Sequence, residues 1–374
     1  MTDSTLYTDA LGLLQSLIST PSFSKEEDGT AGLLVKFLQD HQVKAERFQN
    51  NVWALNANFD PAKPTLLLNS HHDTVKPNPQ YSLNPFQPVI STDKIFGLGS
   101  NDAGGPLISL IATFLHFAHQ PNLPWNIVLA ATAEEEISGV NGIEALLGAP
   151  EFIAATHQPG LKPFGNWSAI VGEPTLMQMA VAEKGLLVLD AVAHGKAGHA
   201  AREEGVNALY AAMDDIQWFR THRFSRISPT LGPVKMNVTV IQTENKAHNM
   251  VPATCHFTVD IRVTDAYTHE EILAEVKQHV KSEVIARSMR MRATGIGLTH
   301  PLVAAGLQLG KPHYGSPTCS DKALMPFPAL KCGPGDSARS HTADEYIYLQ
   351  EIEEGIKGYI ELIETTFNIV SRES

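Results

Sequence analysis

The chain has 374 residues, about two and a half typical domain lengths, so two domains are expected. Hydrophobic residues make up 43% and charged residues 18%, a globular mix and not a disordered one. Acidic residues number 40 against 28 basic ones, and a net charge of −12 argues against a protein that grips nucleic-acid phosphates.

Leu11, Leu14 and Leu17 lie at helical spacing in the first segment, which Pro21 ends. Ser24-Lys25-Glu26-Glu27 reads as a capping box opening a helix whose buried face is Ala31, Leu34, Phe37 and Leu38. Two short strands are predicted over 43–48 and 52–57. Then come short apolar runs, too short for helices and suited to buried strands: Thr65-Leu66-Leu67-Leu68, the stretch 125–132, Ser168-Ala169-Ile170-Val171 and the weaker Ala329-Leu330-Lys331-Cys332. An apolar helix over 107–119, opened by Gly104-Gly105-Pro106, separates the first two, so an α/β sheet is expected.

From about 181 to 293 the pattern changes. Strands are predicted over 186–193, 234–241, 256–263 and 287–293, with helices over 207–218 and 268–284. That order is the ferredoxin-like βαββαβ unit. It is inserted into the α/β pattern, which resumes near His300 and ends in a helix over 349–369 with Ile352, Ile356, Ile360 and Ile363 inward. The expected domains are therefore 1–180 with 294–374, and 181–293.

Cys255, Cys319 and Cys332 lack zinc-ribbon spacing and are too few for a disulfide scaffold, which points to a reducing compartment. The opening MTDSTLYTDALG has neither the basic nor the apolar stretch of a leader. No apolar run approaches the roughly 20 residues of a membrane span. A cytoplasmic protein without membrane partners is the expectation.

Ligands of open α/β sheets bind beyond the carboxyl ends of the strands. After the first buried strand comes Asn69-Ser70-His71-His72-Asp73, after the second Ala133-Glu134-Glu135-Glu136, and after the third Gly172-Glu173-Pro174. The fourth leads through a glycine turn to Asp336, Ser340 and His341, and Ser100-Asn101-Asp102 precedes the central helix. Bare acids crowded there would repel one another, and divalent ions remove that cost. Imidazoles with carboxylates suit Zn²⁺, with Co²⁺ or Mn²⁺ as substitutes. One Asp can bridge two ions roughly 3.5–4 Å apart. Each piece alone also has a plain structural reading: a hydrogen-bonded His, a solvated glutamate run. Gly97-Leu98-Gly99 and Gly195-Lys196-Ala197-Gly198 lack nucleotide-loop spacing, and no Gly-x-Ser-x-Gly elbow occurs.

The ordered set resembles the metallopeptidase-like family containing acetylornithine deacetylase, succinyl-diaminopimelate desuccinylase, aminoacylase and the glutamate carboxypeptidases. The resemblance is carried by His71-His72-Asp73-Thr74-Val75, by 96–102 ending in Asp102, by Thr132-Ala133-Glu134-Glu135-Glu136, and by Val171-Gly172-Glu173-Pro174-Thr175. Further landmarks are Gly198-His199-Ala200, Asn249-Met250-Val251-Pro252, Asp260-Ile261-Arg262, and the stretch from Gly333 to His341. It implies an aminopeptidase-like α/β/α catalytic domain with an inserted lid that forms a homodimer. It implies that His71, Asp102 and Glu173 hold one metal, and Asp102, Glu136 and His341 the other. Glu135 would be the general base, and Asp73 would hydrogen-bond the second nitrogen of His71. His199 would stabilise the oxyanion, from its own chain or a partner's. Asn249, Arg262, Lys184 and Arg339 are candidate substrate contacts. His72 occupies the variable middle of its box. The Gly-Glu-Pro-Thr box and the moderate length favour a deacetylase of N-acetylornithine or N-acetylcitrulline. Ser320-Asp321-Lys322-Ala323 lacks an arginine that desuccinylases carry near this point. Aminoacylase, dipeptidase and desuccinylase stay open as alternatives, as does a binding protein that kept the fold without catalysis.

Overall fold

A computed structural model describes residues 3–157, 160, 162–202 and 204–373. The chain forms two compact units. One comprises 1–181, 295–314 and 320–374, and the other 182–294 with 315–319.

The first unit is built on four parallel strands in the order Asn126–Thr132, Thr65–His71, Trp167–Val171 and Ala329–Lys331. Antiparallel Asn51–Leu55 and Ala45–Phe48 extend one edge. The apolar runs are continuous because both faces are covered. Leu66, Leu68, Ile127, Leu129 and Ile170 enter one core with the helices Asp3–Ile18, Gly105–Ala118 and Leu349–Glu373. Leu67, Val128, Ala130 and Ala169 enter the opposite core, with Phe152 and Leu146 from two short helices. Residues one apart on a strand thus serve different layers. Since the four strands run the same way, their carboxyl ends share one edge, and His71 stands level with Thr132 there. Among the described residues no helix is long and apolar enough to cross a membrane.

The Ser24 capping box does not form. Helix Asp28–Asp40 has Glu27 at its N-cap and no side-chain cap bond. The Ser24 hydroxyl instead donates to the Asp73 carboxylate at 2.6 Å. Burial of Ala31, Leu34 and Leu38 is as the periodicity predicts.

The second unit has the sheet order Lys235–Thr243, Thr254–Val263, Gly185–His194, Glu283–Ala286, all antiparallel. Helices Ala208–Thr221 and His269–His279 complete the βαββαβ arrangement. Its last strand lies earlier than the alternation at 287–293 suggests, and its second helix ends at His279. Buried Asp215 accounts for both shifts. Its carboxylate accepts the Lys281 and Ser282 amides and the Ser282 hydroxyl, which stops the helix and starts the strand. A capping box does open that helix, between Thr268 and Glu271.

Candidate metal centre

His71 ends its strand 1% exposed. Its Nδ1 lies 2.9 Å from the main-chain carbonyl of Asp73, an acceptor only, so Nδ1 carries a proton and Nε2 is the nitrogen turned toward the acidic cluster. The Asp73 carboxylate is farther from Nδ1, at 3.5 Å. It has other donors: the Ser24 hydroxyl and the amides of Glu135 and Glu136 at 3.1 and 3.2 Å. Asp73 therefore orients His71 through its backbone and holds the two-glutamate turn through its side chain.

That turn sits between two left-handed residues, Glu134 (φ 55°) and Ser138 (φ 49°). Such residues reverse the chain sharply, and the Glu134 carboxylate fixes the loop by accepting from Asn141 Nδ2 at 2.8 Å. Glu134 is thus structural. Asp102 precedes the central helix in a turn where its own backbone is extended (φ −119°, ψ 97°).

Asp102 faces two partners. Oδ1 lies 3.2 Å from His71 Nε2, and Oδ2 lies 3.7 Å from His341 Nε2. Glu136 approaches His341 Nε2 at 3.1 Å, and Glu173 Oε1 approaches His71 Nε2 at 3.8 Å. Glu135 Oε2 stands 4.0 Å from the same nitrogen. Among the described residues, His71 with Glu135 and Glu173, and His71 with Asp102 and Glu136, bring donor atoms within 4.8 Å of one another. The donors are all nitrogen and oxygen, a set that suits a zinc-class divalent ion.

The crowded acids favour protonation of the site's histidines and of one another. Burial opposes a charged His71, but Asp102, Asp73 and Glu135 outweigh it and hold its pKa well above the ordinary range. His341 is raised to about 9, chiefly by its bond to Glu136. Burial, then the neighbouring charges of Glu173, Asp321 and Glu136, pushes Glu135 well up against the pull of His71. A site that draws in protons this way offers the same vantage to metal cations, which displace them.

Over residues 67–365 the sequence matches the model of peptidase family M20/M25/M40. The chain belongs to that family. It is 25% identical to succinyl-diaminopimelate desuccinylase 2 of Ruegeria sp. (strain TM1040) over 291 residues, 73% of this chain and 70% of that one. A probable carboxypeptidase of Emericella nidulans is 26% identical over 392 residues, covering 94% of this chain and 88% of that protein. Among solved structures, the M20 family metallo-carboxypeptidase Sso-CP2 from Sulfolobus solfataricus superposes with a TM-score of 0.75 at 18% identity, over 96% of this chain and 99% of that one. A tripeptidase from Staphylococcus aureus gives 0.73 at 18% identity, over 97% and 99%.

The six residues His71, Asp102, Glu135, Glu136, Glu173 and His341 thus meet at one sheet edge of this M20 chain. His72 is apart from them, buried between the Thr30 hydroxyl and the Asn50 carbonyl. Of the substrate candidates, Arg339 donates from Nη2 to both Glu351 oxygens at 2.7 and 2.9 Å and lies against Tyr346 and Tyr348, while its buried Nε and Nη1 have no hydrogen-bond partner among the described residues. In the second unit, Lys184 donates to the Pro233 carbonyl and Arg262 pairs with Asp260. Asn249 and exposed His199 lie on facing segments, where the Ala200 amide bonds the Asn249 carbonyl.

Two site residues escape sequence reasoning. Asp321 is buried, accepts from Thr132 Oγ1 at 2.6 Å, and is pushed by burial to about 6. Glu345 is buried and is raised to about 7 by burial and by Asp102. Both lie far along the chain from their partners, so no local spacing signals them.

The raised His341 makes a pH prediction. A histidine whose folded pKa exceeds its ordinary value stabilises the fold below pH 6.5, and that contribution is lost as pH rises through about 9. The urea midpoint of metal-free protein should therefore fall between those values, and His341→Ala should flatten the fall. An unchanged slope in the variant contradicts the pairing with Glu136.

Proposed function

We propose that this chain is a two-metal amidohydrolase that removes an N-acyl group, acetyl first, from a small amino acid such as N-acetylornithine or N-acetylcitrulline. The observation that carries the hydrolase reading is the Asp102 carboxylate, with one oxygen toward His71 and the other toward His341. A carboxylate in that pose can serve two ions. His71 and Glu173 would complete one set, and Glu136 and His341 the other. Zn²⁺ fits this donor set, as do Co²⁺ and Mn²⁺. Two such ions supply a lowered pKa for water and polarisation of the amide carbonyl.

The chain's own groups do the rest. Glu135 takes a proton from the attacking water, whose oxygen bonds the carbonyl carbon. Glu135 then passes that proton to the leaving nitrogen as the C–N bond breaks. Asp73, bonded to the amides of both glutamates, holds base and ligand in one rigid turn. His199 donates to the developing oxyanion, as the family resemblance implies.

A peptidase or desuccinylase reading has its own support in the relatives named desuccinylase and carboxypeptidase. Lys184, Arg262 and Asn249 of the second unit, with Arg339, are the candidate substrate contacts. That unit also offers a dimer surface along the edge strand Lys235–Thr243, on which Val240 and Ile241 are exposed.

Chelation should abolish amide hydrolysis and Zn²⁺ or Co²⁺ should restore it, read on a panel of N-acetyl and N-succinyl amino acids and dipeptides. Glu135→Gln should keep its metal and lose about a hundredfold or more in kcat, whereas Glu136→Gln should lose metal. The opposite metal contents would swap the two roles, and full activity without metal would sink the reading. His199→Ala should lower kcat by about a hundredfold with KM little changed. A normal kcat returns it to a surface histidine. Small-angle scattering should give a dimer mass, and a monomer at high concentration contradicts the surface.

A further inference from the structure

Glu345 is 2% exposed. Its side chain is spent on backbone. Oε1 accepts the amides of Asn101 and Asp102 at 2.9 and 2.8 Å, and Oε2 accepts the Gly99 amide at 3.0 Å. Its own backbone is tied on both sides: the Glu345 amide donates to the Tyr81 hydroxyl at 3.2 Å, and its carbonyl accepts from the Gly97 amide at 3.0 Å. The turn it grips has no side-chain cap of its own and starts from left-handed Gly99 (φ 72°). A second clasp lies beside it, where Asn101 and Asp336 exchange side-chain and main-chain bonds at 3.0 and 3.1 Å.

A short side chain that must present both oxygens in different directions has almost no freedom to correct a misplaced backbone. The Asp102 amide therefore sets where both oxygens fall. Burying a carboxylate is costly unless donors replace its water, and these amides do so. The cost is met at the one turn whose position the two halves of the cluster share.

We infer that Glu345 is the positioning residue of the centre: it fixes the Asp102 backbone so that the aspartate spans both halves. The inference rests on Asp102 as a shared ligand. Because Glu345 follows His341 by four residues, it also ties the loop carrying His341 to the turn carrying Asp102.

Two variants test this. Glu345→Gln keeps the shape but sets an amide NH₂ against one of the backbone donors. Glu345→Asp keeps the charge and all acceptor sites on a shorter arm. In metal-free protein, amide exchange at 99, 101 and 102 should quicken at least tenfold in Glu345→Gln, with helix Gly105–Ala118 unchanged and Glu345→Asp intermediate. Zinc affinity, read by competition with a chromophoric chelator, should fall about 10–100-fold in the same order, the usual effect of losing a group that orients a ligand. The cobalt absorption spectrum should shift as well. Wild-type protection of the three amides, or unchanged zinc affinity, overturns the inference. Should Glu345→Gln not fold, Glu345→Asp carries the same readouts. A wild-type protein that takes up no zinc would defeat the metal reading, and the exchange data would still decide what Glu345 holds.

Discussion

Like charges cannot be gathered in a protein interior without something positive between them. Asp102, Glu135, Glu136 and Glu173 crowd around one buried histidine at the edge of a sheet covered on both faces. Desolvation and mutual repulsion both disfavour that arrangement. His71 lies toward one oxygen of Asp102 and His341 toward the other. A pair of divalent cations meets the same need with more charge and fixed geometry.

The fold supplies the crowding, and a shell of committed groups keeps it in order. Four parallel strands end on one side, so their following residues must converge. Convergence alone does not aim side chains. Asp73 fixes the glutamate turn through two amides, Glu134 closes the loop behind it, and Glu345 holds the turn of Asp102. These groups are acidic and buried, yet their oxygens are occupied by backbone donors or by Asn141 and Ser24. They act on the site through the backbone, which leaves the exposed oxygens of the cluster to its six central residues.

The buried strands were legible because covering a strand on both faces demands an uninterrupted apolar run. The residues after each run were legible because parallel strands deliver them to one place. What stayed hidden depends on contacts across the chain. Ser24 has the spacing of a helix cap, but the Asp73 carboxylate, 49 residues on, competes for its hydroxyl and wins. Glu345 reads as one acid in a polar stretch, and only the folded turn 243 residues away shows its use. Arg339 reads as a lone cation beside His341, and only the folded helix Leu349–Glu373 brings Glu351 against its Nη2. In the second unit, period-two alternation misplaced the last strand because Asp215 sets the boundary from another helix.

The central claim is that Asp102 bridges two ions. The most direct measurement is a crystal structure of the zinc-loaded protein with anomalous data collected at the zinc edge. Two peaks are expected, roughly 3.5–4 Å apart, with one Asp102 oxygen on each, His71 and Glu173 on one side, and Glu136 and His341 on the other. A single peak, or two peaks with Asp102 bound to only one of them, would contradict the account.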